Sequence, residues 1–109
     1  MNINPDIITE TQAHLARTIQ ECVGRLQQAE RECSGLTYQL HLTKQLQKQA
    51  SQTTEREMWE LEEAILTCRI EAASHDIDAI EEELLRSRRL HEIVTQHAEM
   101  TKNASFSIA

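Results

Sequence analysis

The chain has 109 residues, a formal net charge of −7, two glycines, one proline and only 3% aromatic residues. That length fits one small domain, and the scarcity of turn and strand residues excludes a sheet protein. The acidity disfavours direct contact with DNA, RNA or anionic membranes, which repel it.

A helix start is written at the N-terminal end. Asn4 is a good N-cap, Pro5 suits the first helical position, and Asp6 complements the positive end of the helix dipole. From there an alternating four-three spacing runs through Ile8, Gln12, Leu15, Ile19, Cys22, Leu26, Ala29, Cys33, Leu36, Leu40, Thr43, Gln47 and Ala50. This is the a/d seam of a coiled coil. Gly24 and Gly35 fall inside it, each costing about 1 kcal/mol in a helix interior. The seam keeps its phase across both, so the spacing predicts one helix over about 5–50, with a soft spot at Ser34-Gly35.

A turn is expected near 51–54. Continuing the first seam places its next positions at Thr54, Glu57 and Leu61, whereas the second seam begins at Trp59. The jump falls in a polar stretch, and Thr54 followed by Glu57 reads as a capping box. The rival reading is one continuous helix with a stutter.

The second helix is expected over about 55–100. Its seam is Trp59, Glu63, Leu66, Ile70, Ala73, Ile77, Ile80, Leu84, Ser87, His91, Val94 and Ala98. Folding the two seams together, with paired residue numbers adding to 106, sets Leu40 by Leu66, Cys22 by Leu84 and Ile8 by Ala98. Large residues then often meet small ones, as close packing needs. The same pairing sets Arg25 by Glu83 and Lys44 by Glu60. The fold expected is all-α, an antiparallel helical hairpin or coiled coil, completed to a bundle by dimerisation or a partner. Residues 1–102 form its single domain, and 103–109, with the isolated Phe106 and Ile108, form a flexible tail.

Chemistry-bearing patterns are scarce. The histidines His14, His41, His75, His91 and His97 form no paired Glu-x-x-His units and no His-Glu-x-x-His, and Cys22, Cys33 and Cys68 form no Cys-x-x-Cys. No metal, cofactor or small-molecule substrate is expected. On a seam, a cysteine acts as a small hydrophobe. Without a glycine-rich loop or a base–nucleophile pair, the chain does not read as an enzyme. The first residues lack the basic and apolar regions of a signal peptide, and no apolar run spans a bilayer. With an odd number of thiols, this predicts a cytoplasmic, reducing location.

Two features remain. A second apolar stripe, Met58, Leu61, Ile65 and Cys68, runs beside the Trp59 seam, and Tyr38, Leu42 and Leu46 are surplus on the first helix. A lone hairpin needs one seam per helix, so the surplus predicts a contact surface for another protein or a second copy. The segment 55–83 also carries eleven acids against Arg56 and Arg69. The expected function is a non-enzymatic, structural or adaptor coiled-coil protein. The alternative is a small acidic inhibitor that blocks a basic, nucleic-acid-binding cleft with Glu60, Glu62, Glu81 and Glu82.

Overall fold

The computed structural model describes the backbone of residues 4–108 and the side chains of residues 4–103. Two helices, α1 (Pro5–Gln49) and α2 (Thr53–Ile108), form an antiparallel hairpin, with no strand among the described residues. The expected hairpin is therefore the fold, and the single stuttering helix is not.

α1 starts as its sequence dictates. Asn4 Oδ1 accepts a hydrogen bond from the Asp6 amide at 3.0 Å, and the Asn4 carbonyl accepts from Ile7 and Ile8. Orphan amides of the first turn are thereby satisfied. Gly24 and Gly35 lie within α1 without a positive φ, so the helix passes straight through both. Threonine is a weak helix former because its hydroxyl competes for backbone partners. Here Thr9, Thr11, Thr18, Thr37, Thr67 and Thr101 each donate to the carbonyl four residues earlier, which keeps the hydroxyl inside the helical pattern.

The turn occupies residues 50–52, slightly earlier than its sequence signals. The Arg56 amide donates to the Gln52 carbonyl at 3.0 Å, making Gln52 the first acceptor of α2. Thr54 is then already helical and cannot act as the N-cap, which needs a non-helical backbone. The Thr54–Glu57 box is not the device that starts this helix. An unforeseen group closes the turn: Arg56 Nη2 donates to the Ala50 carbonyl at 3.2 Å, and the Ala50 amide donates to Gln47. A cation on the last carbonyls of α1 opposes the negative end of that helix. α2 continues to Ile108, beyond the Ala98 end of its seam. The side chains of Phe106 and Ile108 lie outside the described residues.

Packing divides into two units, Met1–Arg25 with Ile80–Ala109, and Leu26–Ala79. In the first, Ile8, Cys22, Ile80, Leu84 and Ser87 are buried. Ile8 and Ala98 line one shallow hollow, as their pairing requires. Gln12 Nε2 donates to Thr95 Oγ1 at 3.3 Å, and Arg25 Nη1 meets Glu83 Oε2 at 3.1 Å, the ion pair that the pairing predicts. In the second unit Thr43, Ala50 and Leu66 are buried, and Ile77 shares an open hollow with Cys33, Ser34 and Thr37. Lys44 and Glu60 do not close into an ion pair there; Arg25–Glu83 is the salt bridge among the described residues. Every residue of both expected seams is buried or half-buried. No helix is long and apolar enough to cross a membrane.

Candidate interaction surface

Heptad letters fix where each side chain stands. The seams occupy a and d, with Leu26 and Leu40 at a on α1, and Trp59 and Leu66 at d on α2. Counting from them, Met58 and Ile65 take c on α2, while Leu61 and Cys68 take f. Ala72 follows at c. At 100° per residue, the middle of a c/f stripe stands about 160° from the middle of the a/d seam. These residues therefore lie on the back of α2, facing away from α1.

The exposures agree. Met58 is 67% exposed, Leu61 64% and Ile65 45%, against 1% for the seam residue Leu66. Cys68 is exposed too. On α1, Tyr38 takes f, Leu42 c and Leu46 g, and all three are exposed. In an antiparallel pair the g positions of the two helices are neighbours, as the Arg25–Glu83 contact between two g residues shows. Within the unit Leu26–Ala79, the c/g sides of its two helical segments thus form one broad side. Leu42, Leu46, Met58 and Ile65 belong to that side. Tyr38 and the f residues Leu61 and Cys68 sit on the backs of their own helices, so the seven surplus residues make two overlapping patches rather than one.

In the other unit, Ile7, Leu90, Ile93 and Met100 are exposed at c and g positions. These four lie outside the seven surplus residues, although the recurrence of apolar residues at c along α2 announces Ile93 and Met100.

The four acids named for a charged surface are all exposed, but Glu60 and Glu81 take e, Glu62 takes g and Glu82 takes f. They point in different directions around α2. Among the described residues, no three His, Cys, Asp or Glu side chains converge as a metal site would require. The thiols are free. Burial pushes the Cys22 thiol up from its ordinary pKa, and the nearby Glu83 carboxylate adds to the effect. A thiol held protonated is a poor nucleophile. Trp59 shows the opposite compromise at the turn end of the seam: its indole Nε1 is buried without a hydrogen-bond partner.

Comparison with known protein families, with curated proteins and with solved structures finds no match.

Proposed function

We propose that this chain is a non-enzymatic coiled-coil interaction protein, a structural or adaptor subunit that works by packing its helices against those of other chains. The observation that carries this is the division of apolar residues on α2. One set fills the seam with α1, and a second set at the same three-four spacing stays exposed at Met58, Leu61, Ile65 and Cys68. Leu61 is 64% and Ile65 45% exposed, so covering what remains of either contributes about 1–2 kcal/mol. A few such residues in a row therefore supply a specific contact without any active site. Its free thiols suit a reducing, intracellular compartment.

A charge introduced on the stripe, set against a charge reversal on the e side of α2, tests this. Ile65→Asp should abolish association with a second copy or a partner, read by light scattering or co-purification. Glu60→Lys should leave it intact. Because both residues are exposed, neither change should alter helix content. Assembly that survives Ile65→Asp would sink the proposal. The acidic-inhibitor reading makes the reverse forecast, with Glu60, Glu62, Glu81 and Glu82 dominating. Their scatter over e, f and g offers it no common face.

A further inference from the structure

The back of α2 carries more than an apolar stripe. Met58, Leu61, Ile65, Cys68 and Ala72 occupy c and f, and the positions bordering such a stripe are b and g. In the unit Leu26–Ala79 those borders hold Glu55, Glu62 and Asp76 at g, and Glu57, Glu71 and Asp78 at b. All six are exposed, and none closes a salt bridge among the described residues. Arg69 is the one cation on these borders. The stripe is a helix–helix seam by its spacing and an anionic channel by its rims.

A second copy is a poor occupant. Laid parallel on this stripe, it sets Glu57 against Glu62 and Glu71 against Asp76, with no attractive pair. Laid antiparallel, the register that brings Arg69 to Glu62 of the other copy also brings Glu55 to Asp76 and Glu57 to Asp78. Like charges so placed oppose assembly. We infer that the back of α2 between Glu55 and Asp78 is a docking site for a basic amphipathic helix of another protein, with apolar residues seated on the stripe and Lys or Arg along both rims. This deepens the interaction reading and rests on it. Helix-in-groove recognition uses the same division, apolar anchors for affinity and rim charges for choice of partner.

The test uses the full chain and two synthetic amphipathic helices, both with leucine at a and d. One has lysine at e and g, the other glutamate. Titration should show binding of the lysine helix, weakened by added salt, and none of the glutamate helix. Leu61→Asp is the decisive variant. It makes the surface more acidic while removing an apolar anchor, so simple charge attraction predicts tighter binding. Docking predicts about a tenfold loss. Glu62→Lys with Glu71→Lys should weaken the lysine helix too, whereas Glu60→Lys should not. Circular dichroism checks that helix content is unchanged in each variant. Failure to bind the lysine helix, equal binding of both helices, or undiminished binding by Leu61→Asp overturns the inference. So does a self-assembled chain that Ile65→Asp reduces to monomer, because the occupant is then a second copy; the broader interaction reading survives that result. If Ile65→Asp alters neither self-assembly nor helix binding, both readings fall.

Discussion

Cys22 illustrates how a seam position decides the chemistry of a side chain. It is 1% exposed, sits at d on α1 and pairs with the layer of Leu84. Burial first, and the Glu83 carboxylate second, hold its thiol above the usual range. The consequence for stability has a definite sign. Below about pH 8.5 a cysteine keeps its proton whether the chain is folded or not. Above that, the unfolded chain releases the proton while the fold retains it, so stability falls as pH rises through this window. The native chain should therefore lose more thermal stability between pH 7.5 and pH 9.5 than Cys22→Ala does, as followed by circular dichroism melts. Parallel losses in the two proteins would show that the thiol has no part in it.

The helices themselves were almost fully legible, because hydrophobic period, N-cap and phase all pointed to the same arrangement. Asn4 caps α1, both seams are covered along their length, and Arg25 meets Glu83. What the sequence misplaced was the turn. Its side-chain signal, Thr54 and Glu57, begins at the second residue of α2 rather than ahead of it, while the closing contact comes from Arg56 to the Ala50 carbonyl. Long-range capping by an arginine leaves no periodic trace, so pattern reading passes over it. The stripe residues were legible as surplus, but their division between the back of α2 and the broad side required the heptad frame that the fold supplies. Gly35 offers a test of the element. It lies within α1, a Cβ built on it meets no atom within 4 Å, and its φ is not positive. Nothing there needs a glycine. Gly35→Ala should therefore stabilise the hairpin by about 0.5–1 kcal/mol through helix propensity and a less mobile unfolded chain. A denaturant melt with a higher midpoint and an unchanged slope would bear this out; a lower midpoint would mean that this position bends or contacts something in solution.

Charge governs the chain as a whole. The net charge is −7, and the segment 55–83 holds eleven acids against two arginines. Helix spacing turns part of that excess into direct opposition. Glu57 with Glu60, Glu60 with Glu63, Asp78 with Glu81 and Asp78 with Glu82 are three or four residues apart, where like charges are neighbours. Each such pair costs about 0.2–0.5 kcal/mol, so the four together cost roughly 1–2 kcal/mol. On the favourable side, the salt bridge among the described residues is the partly exposed Arg25–Glu83, a type worth only tenths of a kcal/mol. Within the segment 55–83, Arg56 with Glu60 is the one attractive pair at this spacing, so there repulsion outweighs attraction, and the net charge of −7 adds to it over longer range. Dissolved salt screens exposed charges of both kinds, but here it removes more that is unfavourable than favourable. Raising sodium chloride from low to about half-molar should increase the melting temperature by roughly 5 °C. The measurement must be made at a chain concentration where light scattering shows no change of mass, since salt also strengthens apolar association. A melting temperature that falls with salt would mean that attractive pairs dominate. The carboxylates bordering the stripe on α2 would then already be satisfied within the chain, and its affinity for a cationic helix would have to come from the apolar anchors alone.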